Sequence, residues 1–167
     1  MFLSKPILAE SKIHIQEATL ADLQYTFRNL KEDDVLEIEE ECKSLNLTAR
    51  KIRGILMENS LVKYAAYRGD KLLFCAGLYR EDAVSVQDGY VMWWIPTKAC
   101  EELKITYAKA AFKMKSALRA AACGKNIYTY TPAWYKKNYK ATKDLGFKYV
   151  GDFENSGNQY RLSVMEA

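Results

Sequence analysis

The feature that most constrains the fold lies at residues 89–115, which read "GYVMWWIPTKACEELKITYAKAAFKMK". Its first part, "YVMWWI", is apolar throughout, as is typical of a central strand buried on both faces of a sheet. The segment beyond Pro96 predicts a long helix over about residues 101–122, with Gly124 as its C-cap. The chain therefore needs a sheet with a helical layer packed against it.

Shorter patterns predict the elements that precede this stretch. "KIHIQEA" alternates apolar and polar residues, as a half-buried strand does. Thr19 predicts the N-cap of a first helix, a second, acidic helix is expected over about residues 32–44, and Thr48 is expected to cap the segment after it. The apolar residues expected on the inner sides of the two helices are Leu20, Leu23, Phe27, Leu30, Val35, Leu36, Ile38 and Cys42.

The remaining patterns complete a mixed sheet. They predict a hairpin at "VKYAAYRGDKLLFCAGLYR", a strand at "NIYTYTP", a helix ended by Gly146, and a strand pair, "FKYVGDFE" and "QYRLSVME", across "NSGN". The order β–α–α–β–β–β–α–β–α–β–β indicates an α/β fold with a central, mostly antiparallel sheet and helices on both faces. Residues 1–167 are predicted to form a single domain, with 1–11 as a flexible or peripheral N-terminal segment.

Composition excludes several classes of protein. A hydrophobic content of 49% with 28% charged residues is ordinary for a globular chain, and the apolar runs are too short to cross a bilayer. The N-terminus has no signal-peptide pattern, so we expect a cytoplasmic protein without membrane insertion. Four widely spaced cysteines and a single histidine predict free thiols and no metal site.

Charge is divided unevenly along the chain. Residues 98–148 hold twelve basic and three acidic residues, whereas "KEDDVLEIEEE" is strongly acidic. Opposite poles indicate an anionic partner or self-association from pole to pole, and a solvated helix face is the alternative. The stretch "YTYTPAWYKKNYK" interleaves aromatic residues with lysines, as nucleic-acid-binding surfaces do, so nucleic acid is a candidate partner of the 98–148 half.

Four of these stretches together resemble the GNAT (GCN5-related N-acetyltransferase) fold: "YRGDKLLFCAGLY", "YVMWWI", the long basic helix and "LGFKYVGDF". The likeness covers about residues 12–165. Within that superfamily the chain is similar to small GNAT-like proteins of short-tailed lytic bacteriophages, which are linked to the internal virion and its assembly. The resemblance implies phage or host proteins as partners, and a location in the cytoplasm of the bacterial host or in the virion.

GNAT enzymes hold the pyrophosphate of acetyl-CoA on an R/Q-x-x-G-x-G/A loop between the fourth strand and the next helix. If Pro96 marks the proline of that loop, the basic position falls on Ala99 and the glycine positions fall near Cys100 and Glu102. Side chains there would crowd the phosphate, and Glu102 would repel it. The resemblance therefore implies no cofactor, or acetyl-CoA if the protein is an enzyme. The cofactor-binding candidates that remain are Trp94, Ile95, Lys98 and Lys104.

The second GNAT signature lies in the last helix, where active members often carry an Asn at its start and a Tyr four residues before the Gly of "GF". Counting back from Gly146 puts Thr142 at the position of the acid and Tyr135 at that of the Asn. A threonine hydroxyl is too weak an acid to protonate a thiolate. The catalytic candidates nearby are Tyr135 and Tyr139, and Tyr130 is a further tyrosine that could substitute. The carboxylates that border strands, and are candidates for a general base, are Glu17 and Glu81.

Three hypotheses follow from the sequence. The first is a GNAT-fold protein that has lost acetyl-CoA chemistry and serves as a virion-associated or assembly protein of a phage. The second is an acetyl-CoA-dependent N-acetyltransferase with an atypical cofactor loop. The third is a basic module that binds nucleic acid or an acidic protein. The missing glycines favour the first over the second.

Overall fold

A computed structural model describes residues 12–80, 88–155 and 157–167. The predicted N-terminal segment, Glu81 and part of the predicted "NSGN" turn lie outside these ranges. The strands are β1 (Ile13–Glu17), β2 (Ser60–Arg68), β3 (Lys71–Tyr79), β4 (Gly89–Pro96), β5 (Asn126–Pro132), β6 (Lys148–Asn155) and β7 (Asn158–Met165). The helices are α1 (Leu20–Arg28), α2 (Glu32–Leu45), α3 (Ala49–Asn59), α4 (Ala99–Glu102), α5 (Lys104–Ala122) and α6 (Lys136–Asp144).

The strands form one sheet in the order β1-β2-β3-β4-β5-β7-β6. Five of the six neighbouring pairs are antiparallel, and only β4 and β5 run parallel. A parallel pair needs a crossover connection, which α4 and α5 supply between these two strands. The predicted mixed α/β architecture is confirmed.

The element order differs from the prediction at two places. Three helices precede β2, one more than the predicted order holds, because Thr48 Oγ1 accepts the amide hydrogen of Lys51 at 3.2 Å and so starts a helix of its own. The long helix predicted over 101–122 is interrupted at Leu103, where φ is −116° and ψ is 50°. It ends on Cys123, not on Gly124, since Cys123 already adopts the left-handed conformation at φ 51°.

The core lies on both faces of the sheet. On one face, Phe74 of β3 packs with Met114 and other residues of α5. On the other face, Leu23 of α1 packs with Trp93 of β4. The neighbouring Trp94 belongs to the α5 face, since successive side chains of a strand point to opposite sides. The prediction that β4 is buried on both faces is confirmed.

The inner side of α2 differs from the prediction. Val35 and Leu36 were expected to face the core, yet they are 38% and 51% exposed. The buried residue of this helix is Asp34. The helix is rotated so that Asp34 and Glu41, two turns apart, face a cleft that accommodates carboxylates. Ile38 does pack on the core and Cys42 is partly buried.

The first helix follows the predicted stripe with one exception. Leu23 and Leu30 are buried and Phe27 is partly buried against the core. Leu20 is 48% exposed. It is the first residue of α1, and the inward side of the helix starts one turn later, at Leu23.

No helix among residues 12–80, 88–155 and 157–167 has the length and apolar character needed to cross a bilayer. In the same ranges, no group of three or more His, Cys, Asp or Glu side chains is arranged to hold a metal ion. The four cysteines are free, with Cys75 and Cys100 buried and Cys123 exposed.

Candidate ligand cleft between diverging strands

The candidate site is a cleft in the gap between the two parallel strands. Their pairing runs only from Gly89 opposite Asn126 to Val91 opposite Tyr128. Beyond these pairs β4 and β5 diverge, and a cavity of about 810 Å³ lies between them. It is lined on the α1–α3 side of the sheet by residues of α2 and α3, and on the other side by Tyr107 and residues of α6. The cleft therefore passes through the sheet.

Carboxylates line the α2 side of this cleft. They are Asp34, Glu37 and Glu41, with Glu154 of β6 nearby. Burial raises the pKa of Glu37 to about 8, and the negative charges of Asp34, Glu41 and Glu40 add to this effect. Burial likewise raises the pKa of Asp34, although Lys31 at 3.8 Å opposes the shift. Such a wall attracts a cation, and Glu37 is suited to exchange a proton near neutral pH.

Tyr135 is tied to this carboxylate wall. Its hydroxyl donates to Asp34 Oδ1 at 2.8 Å and so joins α2 to the connection between β5 and α6. Burial, and then the charge of Asp34, raise the pKa of Tyr135 above its ordinary value. The Oδ2 atom of Asp34 is buried and has no hydrogen-bond partner among the described residues. Tyr135 does not line the cleft, and its hydroxyl is engaged; both facts argue against the predicted role as general acid.

The other candidate acids lie in different surroundings. The Tyr139 ring lies under the guanidinium of Arg161 at 4.6 Å and does not line the cleft. Thr142 does line it, but its hydroxyl donates to the carbonyl of Asn138 in its own helix at 2.8 Å. Four tyrosines do line the cleft: Tyr79, Tyr107, Tyr130 and Tyr160. The hydroxyl of Tyr107, in α5, accepts from the ring N–H of a neighbouring tryptophan. Burial raises the pKa of Tyr107.

The polar groups at the junction between β4 and α4 form hydrogen bonds with neighbouring parts of the protein. The amide of Thr97 donates to the carbonyl of Leu73 at 2.9 Å, and the amide of Lys98 donates to the carbonyl of Asn29 at 2.8 Å. The thiol of Cys100 donates to the carbonyl of Leu73 at 3.1 Å. A pyrophosphate needs backbone amides that point toward it, as in an anion-binding nest. The amides of Thr97 and Lys98 are not available to it. Within the loop that starts at Ala99, the amides of Cys100, Glu101 and Leu103 are also bonded to protein carbonyls, each at 3.1 Å.

The charges at this junction also oppose an anion. Glu101 and Glu102 occupy the only turn of α4, and Glu102 lies 3.9 Å from the ammonium group of Lys71 on the surface. α5 starts just afterwards at Lys104. The predicted cofactor ligands Lys98 and Lys104 are exposed and do not line the cleft. The residues of this junction therefore do not fit the pyrophosphate of acetyl-CoA.

Two other predicted cofactor-binding residues do reach the cleft. Trp94 and Ile95 line it from the part of β4 that lies beyond the pairing with β5. The Trp94 ring stacks on Phe74 with centroids 4.4 Å apart and donates its N–H to Tyr107 at 2.9 Å. The Trp94 side chain is thus packed in the core. An extended ligand in the cleft would therefore bind to the backbone of β4 beyond its pairing with β5.

Of the two carboxylates predicted as candidates for a general base, the structure describes Glu17. Glu17 lies on β1, at one edge of the sheet, opposite Tyr64 of β2. It does not line the cleft. Glu81 lies outside the described residues. Sequence analysis missed the α2 carboxylates, although Asp34, Ile38 and Glu41 recur at helical spacing.

Comparisons with known proteins address the fold. No family model matches the chain, and no curated protein matches it. Many solved structures are similar to it.

Three of them illustrate the likeness. An aminoglycoside acetyltransferase in complex with coenzyme A has a TM-score of 0.66 at 14% identity, over 93% of this chain and 95% of that one. A probable acetyltransferase from Staphylococcus epidermidis has a TM-score of 0.64 at 10% identity, over 93% and 99%. An acetyltransferase of the GNAT family from Desulfovibrio desulfuricans, described as putative, has a TM-score of 0.59 at 12% identity, over 93% and 99%. The chain has the fold of the GNAT acetyltransferases.

Proposed function

We propose that this GNAT-fold chain does not use acetyl-CoA and serves as a non-catalytic binding or assembly protein. The observation that carries the proposal is the junction between β4 and α4. There the amides of Thr97 and Lys98 are bonded to protein carbonyls, and two carboxylates occupy the following turn. A loop in this state offers neither the directed amides nor the positive potential that a pyrophosphate requires.

The surroundings of Tyr135, Thr142 and Tyr139 support the same proposal. Tyr135 is held by Asp34 and the hydroxyl of Thr142 is bonded within its own helix. Tyr139 packs against Arg161, away from the cleft. None of these three presents a hydroxyl to a group bound between the diverging strands. Tyr130 does line the cleft, where its ring packs edge-on against Phe153 at 5.0 Å.

The cellular setting of the proposal comes from the resemblance to GNAT-like phage proteins. We place the protein in the cytoplasm of a bacterial host or in the virion, where its partners are phage or host proteins. The basic 98–148 half is compatible with a position near packaged DNA. No cofactor enters this role.

An N-acetyltransferase is the second candidate, and the cleft itself is the observation that favours it. The cavity of about 810 Å³ passes through the sheet and has a carboxylate, Glu37, with a pKa of about 8. Such a group can take a proton from an ammonium ion near neutral pH. One structural neighbour is in complex with coenzyme A. In this case the cofactor would be held by the backbone of Trp94 and Ile95, with Lys104 at the start of α5.

Calorimetric titration with acetyl-CoA and with coenzyme A separates the two candidates. We expect no binding at millimolar cofactor. Lys104→Ala tests a contact at the start of α5, and Lys109→Ala, on the same helix, is its matched control. Micromolar binding that weakens at least about tenfold in Lys104→Ala, and not in Lys109→Ala, would replace the first candidate by the second.

A further inference from the structure

A groove on the outer side of α2 is acidic and aromatic. It has a volume of about 600 Å³ and is separate from the cleft between the strands. Its lining residues are Leu36, Glu39, Glu40, Lys43, Ser44, Trp134 and Asn158. We call it the acidic groove. Leu36 is 51% exposed and Trp134 is 44% exposed, so both offer apolar surface to a partner.

The walls of the acidic groove are held in place by hydrogen bonds. The ring N–H of Trp134 donates to Glu40 Oε2 of α2 at 2.7 Å. Near the C-terminal end of α2, the side-chain amide of Asn158 donates to Ser44 Oγ at 2.9 Å. The Trp134 ring also stacks on Tyr135 at 5.1 Å with an angle of 2° between the planes. A fixed aromatic ring beside carboxylates is suited to bind lysine side chains. Lys43 is the only cation in the lining.

A complementary surface lies on α5. Ile105 is 76% exposed and Phe112 is 55% exposed, and they lie two turns apart on one side of the helix. Lys104, Lys109 and Lys113 flank them and are exposed. We call these five residues the basic stripe. α5 contains no carboxylate. Exposed apolar side chains that share one side of a helix and are rimmed by charged residues are typical of a protein-binding surface.

We propose that the basic stripe of one copy of this chain docks in the acidic groove of a second copy. The stripe brings exposed apolar side chains among lysines, and the groove brings exposed apolar side chains among glutamates, so the two match in both charge and polarity. Duplex or single-stranded nucleic acid would satisfy the lysines but not Ile105 and Phe112. It would also leave the acidic groove unoccupied, because the glutamates there repel phosphate.

The positions of the two surfaces determine the kind of assembly. α5 packs on one face of the sheet, and α2 packs on the other through Ile38. The groove and the stripe of one chain are therefore turned away from each other. A contact between two different surfaces is heterologous, and it propagates into an open chain of subunits or closes into a ring. This suits an assembly protein, but the inference does not depend on the absence of acetyl-CoA chemistry.

Sedimentation velocity over a concentration series tests the docking. The stripe variant is Ile105→Glu with Lys109→Glu, and the groove variant is Leu36→Lys with Glu39→Lys. Leu61→Glu, at a residue 53% exposed on β2, is the matched control. All the changed side chains are exposed, so circular dichroism should show an unchanged fold. The wild type and the control should associate beyond the dimer at low salt and dissociate as salt is raised.

Mixing the variants gives the decisive result. Each variant alone should associate at least about tenfold more weakly than the wild type. The stripe variant keeps an intact groove and the groove variant keeps an intact stripe, so an equal mixture should recover association and form at least a dimer. The proposal is overturned if the wild type stays monomeric at low salt, if either variant associates as the wild type does, or if the mixture forms no dimer.

Discussion

At the scale of single residues, the buried carboxylate of Asp34 depends on Tyr135. Among the described residues, the Tyr135 hydroxyl is the one side-chain donor that bonds to this carboxylate, and it bonds to the Oδ1 atom. Tyr135→Phe removes this bond and leaves both oxygens without a hydrogen bond from these residues, with the ammonium group of Lys31 3.8 Å from Oδ2 as the remaining partner. We expect the free energy of unfolding to fall by about 1–3 kcal/mol at neutral pH, the cost of an unsatisfied buried polar group. Urea denaturation measures it.

The matched control is Tyr139→Phe, in which the ring that packs on Arg161 is kept. It should change the stability by less than about 0.5 kcal/mol. The loss in Tyr135→Phe should shrink in acid, because a protonated Asp34 is less costly to bury. A Tyr135→Phe variant as stable as the wild type would show that the bond to Asp34 is not made in solution.

Glu37 makes stability depend on pH. Its ordinary pKa is 4.5 and its pKa in the folded chain is about 8. Between these values the folded chain keeps a proton that the unfolded chain has released, so the free energy of unfolding falls as the pH rises through this window. The slope is at most about 1.4 kcal/mol per pH unit, and partial exposure makes it smaller.

Glu37→Gln should remove that part of the pH dependence. In thermal or urea denaturation at several pH values, the free energy of unfolding of the variant should rise relative to that of the wild type between pH 4.5 and about 8. Glu39→Gln, an exposed position on the same helix, removes one charge without the buried carboxyl and should leave the profile unchanged. Parallel profiles for the wild type and Glu37→Gln would contradict the assignment.

Residue-scale prediction from the sequence succeeded where a role depends on local context and failed where it depends on distant contacts. Thr19 was predicted as a cap, and its hydroxyl does accept from Asp22, three residues on. Tyr135 was predicted as a candidate acid, and its bond to Asp34 spans 101 positions in the sequence. No pattern within one segment reveals such a partner.

At the scale of elements, β4 should be the most sensitive strand. Trp93 donates its ring N–H to Ser60 Oγ at 2.9 Å on one face, and Trp94 stacks on Phe74 on the other. Truncation to alanine at either position should cost about 3–5 kcal/mol in urea denaturation. Leu61→Ala, at an exposed residue, should cost less than about 0.5 kcal/mol. A neutral Trp93→Ala or Trp94→Ala would mean that this face of β4 is not packed.

The junction after β4 gives a second prediction at this scale. Restoring glycine with Cys100→Gly and Glu102→Gly should create no binding of acetyl-CoA in calorimetry, because the amides of Thr97 and Lys98 stay bonded to protein carbonyls. Glu102→Gly alone is the control for stability, since Cys100 is buried and its thiol bonds to Leu73. Micromolar affinity in the folded double variant would show that side chains alone had blocked the site.

Elements were predicted well where one periodicity dominated and less well where two competed. The apolar run of β4 was assigned correctly because it is too short for a buried helix. In α2, apolar residues at 35, 36, 38 and 42 suggested one inner side, but the helix is rotated to place Asp34, Ile38 and Glu41 inward. Hydrophobicity cannot predict a helix side that faces a polar cleft. The interruption at Leu103 was also missed, since no proline or glycine marks it.

At the scale of the whole molecule, the uneven charge predicts weak and salt-dependent binding of single-stranded DNA. Stacking on bases should contribute little, because Tyr135 is buried and Tyr139 packs on Arg161, which leaves Trp134 as the exposed ring of that segment. The attraction should then come from phosphates, with affinity nearly independent of base sequence. Fluorescence anisotropy over a salt series measures it.

Lys136→Glu with Lys137→Glu tests where that attraction is located. Both side chains are exposed at the start of α6, where glutamates suit the helix dipole, so the fold should be kept. The slope of log affinity against log salt should decrease in magnitude by about 0.7 for each DNA phosphate that the variant no longer neutralises. Lys12→Glu with Lys51→Glu makes the same change in net charge outside the basic half. An equal decrease in both double variants would mean that DNA responds to the net charge alone, and that the basic half is not its binding surface.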